Sequence, residues 1–120
     1  MQKEFRLRKT RDFSLVYRVG RSWANDFLVL KAMPNHEVSG CRFGFSVGKR
    51  TGNAVMRNTI KRRLRETVRQ TPVKAGWDIV FIARARARNA SYHRLKASAT
   101  SLLRRADLLA LQSETERASA

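Results

Sequence analysis

The chain has 120 residues, enough for one compact domain, and its hydrophobic fraction of 42% is sufficient for a core. Its net charge of +17 makes a polyanion the expected partner, with nucleic acid ahead of an anionic membrane surface. One cysteine, Cys41, excludes an intrachain disulfide. The sequence contains no apolar run long enough to span a bilayer, so we expect a cytoplasmic protein without membrane contact.

The pattern of apolar and turn residues predicts six elements in the order helix, strand, strand, helix, strand, helix. This order is typical of an α+β domain in which helices pack on a small sheet. We expect one domain over residues 1–111 and a flexible C-terminal tail over 112–120. The first helix is predicted to have Thr10 as its N-cap and Gly20 as its stop. The predicted elements cover residues 10–18, 27–33, 41–47, 53–70 and 77–83, and the last helix begins at residue 91.

The central helix carries two adjacent stripes when its residues are placed about 100° apart. One stripe is apolar and can pack on a core, whereas the next is almost entirely cationic, with Glu66 as the nearby acid. A helix that served only stability would intersperse acids, because like charges four residues apart repel each other. A solvated charged face is the commonest role of such residues, but this row favours contact with nucleic-acid phosphates. The apolar stripe consists of Met56, Ile60, Leu64 and Val68, and the basic stripe of Arg57, Asn58, Lys61, Arg62, Arg65 and Arg69.

Residues 41–47 alternate between apolar and small or polar side chains, which predicts a half-buried strand. One face is apolar and is expected in the core. The other face carries Gly44 and Ser46, and such small residues let another part of the chain come close. Two interpretations stay open: a helix packs over the glycine, or this face is the open floor of a groove for an extended ligand.

Two aromatic residues, Phe13 and Tyr17, lie four positions apart on the first predicted helix and therefore share a face. Ordinary core packing is the simpler interpretation of such a pair. The alternative is a stacking platform for unpaired bases, which combines aromatic rings with neighbouring cations. Arg11, Arg18 and Arg21 supply those cations.

The sequence offers little for catalysis. The two histidines, His36 and His93, have no obvious carboxylate or cysteine partner, and two histidines with one cysteine are too few for a typical metal site. The acids are scattered singly, whereas a two-metal nuclease needs several convergent carboxylates. We therefore predict a chain that binds nucleic acid, with no catalytic residue and no metal ligand of its own.

Residues 52–66, Gly-Asn-Ala-Val-Met-Arg-Asn-Thr-Ile-Lys-Arg-Arg-Leu-Arg-Glu, resemble the signature of the bacterial ribonuclease P protein subunit. Residues 8–13, 45–50 and 78–84 resemble the segments that surround that signature in the family, so the resemblance covers about residues 6–109. It implies a small α/β sandwich with a central mixed sheet, like the second domain of a small-subunit ribosomal protein. It also implies a left-handed βαβ crossover, against the general right-handed preference.

The resemblance further implies a division of labour in an endoribonuclease. The large RNA subunit carries out the Mg²⁺-dependent hydrolysis that removes the 5′ leader of precursor tRNA, and the Mg²⁺ ions are held mainly by that RNA and the substrate. The protein, expected as a monomer with one copy per RNA, binds the catalytic RNA and the single-stranded leader. The alternatives are a general or ribosomal RNA-binding protein without an enzymatic role and, less favoured, a self-sufficient nuclease.

By position, the resemblance assigns RNA contacts to the basic stripe and the preceding loop, and leader contacts to a groove. Where some family members carry an aromatic residue on the strand at 27–33, this chain has Lys31, which would attract leader phosphates but would not stack on a base. The implied RNA-contacting residues are Arg57, Asn58, Lys61, Arg62, Arg65, Lys49 and Arg50, and the implied groove residues are Phe13, Tyr17, Lys31 and Ser46.

Overall fold

A computed structural model describes residues 5–110, so the tail predicted at 112–120 lies outside the described residues. All six predicted elements are present, with boundaries within about two residues of the expected ones. None of the described helices is long and apolar enough to cross a membrane. The helices are α1 (Thr10–Val19), α2 (Ala54–Gln70) and α3 (Tyr92–Arg105), and the strands are β1 (Arg21–Ala24), β2 (Leu28–Pro34), β3 (Cys41–Ser46) and β4 (Trp77–Ala83).

The boundaries of α1 and the strand count correct two predictions. Thr10 is the first helical residue rather than the N-cap, because Lys9 occupies the capping position and makes no side-chain cap. Strand β1 was not predicted, since its four residues are mostly exposed and too few to show alternation. The stop at Gly20 is confirmed: its N–H bonds the Val16 carbonyl at 2.8 Å, and a Cβ would lie 2.4 Å from that oxygen.

The four strands form one mixed sheet in the order β1-β2-β4-β3. β2 runs antiparallel to both β1 and β4, whereas β3 runs parallel to β4. Parallel neighbours require a crossover connection, and α2 with its flanking turns supplies it. The α+β arrangement expected from the order of the elements is therefore confirmed, and the sheet is mixed, as the resemblance implies.

The main core lies between one face of the sheet and helices α2 and α3. Ile60 and Leu64 of α2 are fully buried against β-strand residues such as Phe81, and Val68 is 5% exposed, as the apolar stripe predicts. Burying each such side chain contributes about 1.5–3 kcal/mol to folding. Asn53 caps α2 by accepting the Met56 N–H at 2.9 Å, so the predicted cap is confirmed and the basic stripe is held in a fixed orientation.

The opposite face of the sheet is covered in part by α1. A smaller apolar cluster of Leu7, Val16 and Val80 anchors the helix there. Gly44 of β3 lies beneath Phe13, because a Cβ at this position would be 2.6 Å from two atoms of the aromatic ring. A helix therefore does pack over this glycine, which is one of the two arrangements that the strand pattern allowed.

An ion pair beneath the start of α1 joins β3 to β4. Arg42 donates from Nε to Oδ1 of Asp78 at 2.9 Å and from Nη2 to Oδ2 at 2.7 Å. Asn35 adds a bond to the same carboxylate at 3.1 Å, and Asp12 of α1 lies 3.8 Å from Arg42. The hydrogen bonds to Asp78 raise the pKa of Arg42. This bidentate pairing satisfies a nearly buried carboxylate and ties α1 to the sheet.

Cys41 is the only thiol of the chain and faces the main core. Burial, with a smaller contribution from the charge of Asp78, raises the pKa of this thiol from 9.0 to about 12. At pH 8 the thiolate is then about a thousandfold scarcer than in an exposed cysteine, and the thiolate is the reactive form. We expect iodoacetamide to alkylate the native protein about a hundredfold to a thousandfold more slowly than the protein unfolded in guanidinium chloride. Equal rates would show that Cys41 is accessible.

Candidate nucleic-acid interface

The basic stripe lies on the side of α2 that the core leaves free. Asn58 and Arg62 are exposed, whereas Arg57, Lys61 and Arg65 are half-buried, with their stems lying along the protein surface. Within residues 5–110, the Nε atoms of Arg57 and Arg65 are shielded from solvent and have no hydrogen-bond partner. Each guanidinium carries four further N–H donors on its terminal nitrogens, and these donors suit an external acceptor such as a phosphate oxygen.

Two other arginines of α2 are engaged within the protein. Arg69 donates from Nε to Oε2 of Glu66 at 3.0 Å, and this hydrogen bond lowers the pKa of Glu66 and raises that of Arg69. Arg63 donates to the Ala90 carbonyl at 3.2 Å and ties α2 to the segment before α3. Of the predicted basic stripe, Arg69 is therefore the member whose charge is most nearly compensated.

Lys49 and Arg50 lie in a short 3₁₀ turn, Lys49–Thr51, that leads into α2. Both residues are exposed, whereas Thr51 is 1% exposed and anchors the turn. Gly52 has φ +146°, a backbone conformation that side chains rarely adopt, and it lets the chain turn into the helix. The two cations thus stand at the N-terminal end of α2, where the helix dipole adds positive potential.

A cleft of about 350 Å³ lies between α1, the end of β3 and α2. Phe13 and Tyr17 form one wall, Ser46 lies at the end of β3, and Lys61 reaches the cleft from the basic stripe. The two aromatic rings are 6.3 Å apart and tilted by 52°, and Tyr17 is 38% exposed. Phe13 therefore packs on the sheet, as the core-packing interpretation expects, and it also lines the cleft. Stacking of bases on the pair stays a prediction.

The sheet provides the floor of this groove. The strand pairing aligns one residue from each of the four strands in a row across the sheet. This row is next to the row that α1 covers, on the same face of the sheet. Lys31 lies in the covered row and donates from Nζ to the Tyr17 carbonyl at 3.3 Å. The structure therefore brings Phe13, Tyr17 and Ser46 together in the cleft, whereas Lys31 lies outside the cleft lining, beneath α1. The row beyond the covered one, here named the groove floor, consists of Ser46, Ile82, Val29 and Ala24, of which Ser46 lines the cleft.

Sequence reasoning missed several residues that line the cleft. Phe45 and Val47 were assigned to the core by strand alternation, and both do pack in or against the core, but both also line the cleft. Arg8 lines the cleft from the segment before α1. Its position in the sequence, close to the predicted aromatic pair, is the signal that could have indicated this. Among the residues described, no group of three His, Cys, Asp or Glu side chains could hold a metal ion.

The fold and this surface define a small α+β protein in which an aromatic-lined groove opens beside a basic helix. The family model for Ribonuclease P matches residues 1–107. The chain is 40% identical over 111 residues to the ribonuclease P protein component of Clostridium novyi (strain NT), covering 90% of this chain and 98% of that protein. The chain therefore belongs to the ribonuclease P protein family, as residues 52–66 suggested.

Solved structures of the family have the same fold. The RNase P protein of Staphylococcus aureus superposes with a TM-score of 0.82 at 36% identity, covering 88% of this chain and 98% of that one. The RNase P protein of Thermotoga maritima gives a TM-score of 0.74 at 31% identity, covering 83% and 96%. The fold expected from the resemblance, a mixed sheet packed with three helices, is confirmed.

Proposed function

We propose that this chain is the protein subunit of ribonuclease P, which binds the catalytic RNA and the single-stranded 5′ leader of precursor tRNA. It assists endonucleolytic removal of the leader during tRNA 5′ maturation, in the cytoplasm and as one monomer per RNA. The observation that carries this proposal is the position of Lys61, which belongs to the basic stripe and also lines the aromatic groove. A structured RNA on α2 and a single strand in the groove would therefore meet at this residue.

In this proposal the groove and the helix have different tasks. The leader lies along α1, where bases stack on Phe13 and Tyr17 and the charge of Lys31 attracts the phosphates. Arg57, Asn58, Arg62 and Arg65 contact the backbone of the catalytic RNA, and the exposed loop with Lys49 and Arg50 extends that surface.

Hydrolysis belongs to the RNA subunit. Among the described residues no three candidate metal ligands come together, so the proposal assigns no metal ion to this chain. Mg²⁺ would be held mainly by the RNA subunit and the substrate, where it would supply the activated water and charge stabilisation. The contribution of the protein is to neutralise phosphate repulsion between the two RNAs and to fix the leader in place.

The RNA that co-purifies with the protein tests this proposal against its main alternative. A single abundant non-ribosomal RNA, able to cleave precursor tRNA when supplied with Mg²⁺, is the expected result. Co-purification with ribosomal particles would instead support a ribosomal or general RNA-binding protein. Cleavage by RNA-free protein would support a self-sufficient nuclease.

Replacing Phe13 by alanine is expected to weaken binding of precursor tRNA with a leader by about 1–3 kcal/mol, the usual contribution of one base stacked on an aromatic ring. Leu15→Ala is the matched control, because Leu15 lies on the same helix and is 38% exposed but does not line the cleft. Affinities of the holoenzyme for substrates with and without a leader should be compared. Equal losses on both substrates would rule out stacking on Phe13.

A further inference from the structure

The groove floor extends across the whole sheet, beyond the cleft that Phe13 and Tyr17 line. Helix α1 runs alongside the groove floor. Phe13, near the start of the helix, covers Gly44 on β3, and Gly20, at the end of the helix, approaches Ala32 on β2. With strands about 4.8 Å apart, the distance from Ser46 on β3 to Ala24 on β1 is about 14 Å. A strand of nucleic acid lying along α1 would therefore leave the groove at the turn that joins β1 to β2.

Four arginines from two other parts of the chain converge on this turn. Arg84 donates to the Asn25 carbonyl at 3.0 Å, and Arg105 donates to the Ala24 carbonyl at 2.8 Å. The guanidinium of Arg94 lies 5.1 Å from the centre of the Phe27 ring, and Arg86 lies 3.9 Å from Asp26. The arginine cluster consists of Arg84, Arg86, Arg94 and Arg105.

The contacts of the arginine cluster leave most of its binding capacity free. A guanidinium carries five N–H donors, whereas Arg84 and Arg105 each direct one bond to a backbone carbonyl. The pair of Arg86 and Asp26 is 75% and 79% exposed, so solvent screens it strongly. Hydrogen bonds to backbone carbonyls give Arg84 and Arg105 a structural role at this turn. They give no such role to Arg86 and Arg94, because these two side chains make no hydrogen bond to the backbone within residues 5–110.

We propose that the arginine cluster binds phosphates of the single-stranded leader where the leader leaves the groove. The inference rests on the proposed function and adds a second contact region for the same substrate. The proposed function assigns the catalytic RNA to α2, which lies beside the end of the groove at Ser46. The cleavage site of the precursor tRNA is therefore expected at that end. The nucleotides farthest upstream then reach the turn at residues 24–27, where the guanidinium groups meet their phosphates.

The double variant Arg86→Gln/Arg94→Gln tests this proposal in the holoenzyme, with precursor tRNAs whose leaders are lengthened one nucleotide at a time. Each phosphate contact to a single strand contributes about 0.7 to the slope of log affinity against log salt concentration. At about 0.15 M salt this contribution is worth about a fourfold difference in affinity. We expect the variant to lose about fifteenfold in affinity for long leaders, with a salt slope lower by about 1.4. For leaders too short to reach the turn, its affinity should match that of the unmodified protein.

The matched control is Lys74→Gln/Lys96→Gln, which also removes two charges. Lys74 pairs with Asp107 and Lys96 bonds Gln70, so both lie away from the turn at residues 24–27. The single variant Arg86→Gln, whose side chain is 75% exposed, serves as a second test if the double variant loses thermal stability. It should show about a fourfold loss for long leaders only.

Three results would overturn the proposal. If affinity rises with leader length equally in the variant and the unmodified protein, the leader does not contact the arginine cluster, although the proposed function stands. If the variant weakens binding of the RNA subunit alone, the phosphates belong to the catalytic RNA. If even the unmodified protein shows no dependence on the leader, the proposed function itself fails.

Discussion

Replacing Arg57, Arg62 and Arg65 together by glutamine is expected to weaken binding of the catalytic RNA by about 150-fold at about 0.15 M salt. Each phosphate contact to a structured RNA contributes about 0.9 to the log–log salt slope, which is about fivefold in affinity at this salt concentration. The choice of residues leaves Lys61 in place, so the cleft keeps both of the cations that line it, Arg8 and Lys61. The fold should be unaffected, because the apolar stripe on the other side of α2 is intact.

This expectation is measured by titrating the RNA subunit with each protein at several salt concentrations. The salt slope of the variant should be lower by about 2.7. Lys74→Gln/Lys96→Gln/Arg104→Gln is the control with the same loss of charge, and it should bind the RNA much more tightly than the variant. An unchanged slope would show that the basic stripe does not contact the RNA. A loss of about 2–5 kcal/mol in stability, as for a core deletion, would show a structural role instead.

Asp78→Ala is expected to lower the free energy of unfolding by about 3 kcal/mol. Removing one partner of a buried ion pair typically costs 3–5 kcal/mol, because the other charge is left uncompensated. The expected loss of stability lies at the lower end of that range, because the Arg42 side chain is 22% exposed and still has the Asp12 carboxylate 3.8 Å away. Asn35 also loses its acceptor in this variant.

Denaturation by urea, followed by circular dichroism, measures this loss of stability. The control is the double variant Arg42→Met/Asp78→Leu, because apolar replacement of both partners of a buried pair is often neutral or stabilising. The double variant should recover most of the stability lost in Asp78→Ala. A loss below about 1 kcal/mol in Asp78→Ala would place this pair among weak surface ion pairs.

Elements with strong periodicity could be predicted from the sequence, and weakly patterned ones could not. Helix α2 was predicted because its apolar stripe repeats over several turns and Asn53 caps it. β4 was predicted at residues 77–83, its observed bounds, because it is a short apolar run buried on both faces of the sheet. β1 has four residues and one half-buried side chain, Trp23, so local pattern carried too little information.

The groove shows why strand alternation alone left two interpretations open. Alternation correctly placed Gly44 and Ser46 on the same face of β3. Which of them is covered depends on where α1 crosses the sheet, and that position is fixed by tertiary contacts such as Val16 against Val80. Gly44 lies under the helix, so the first interpretation holds there. Ser46 lines an open cleft, and an extended ligand in that cleft stays a prediction.

The arginine cluster could not be predicted from the sequence. Arg84 and Arg86 alternate with alanines after β4, and Arg94 and Arg105 lie more than two turns apart on α3. They meet at residues 24–27 only because β4 pairs with β2 and α3 packs beneath the same end of the sheet. A convergence of this kind requires the tertiary fold.

The central claim is that this chain strengthens cleavage by a catalytic RNA, and a reconstituted reaction tests it most directly. The RNA subunit and a precursor tRNA with its 5′ leader are mixed at low Mg²⁺, with and without the protein, and the cleavage rate and substrate affinity are measured. We predict that the protein raises the cleavage rate and tightens binding of the leader-bearing substrate. A protein that leaves both quantities unchanged would contradict this account.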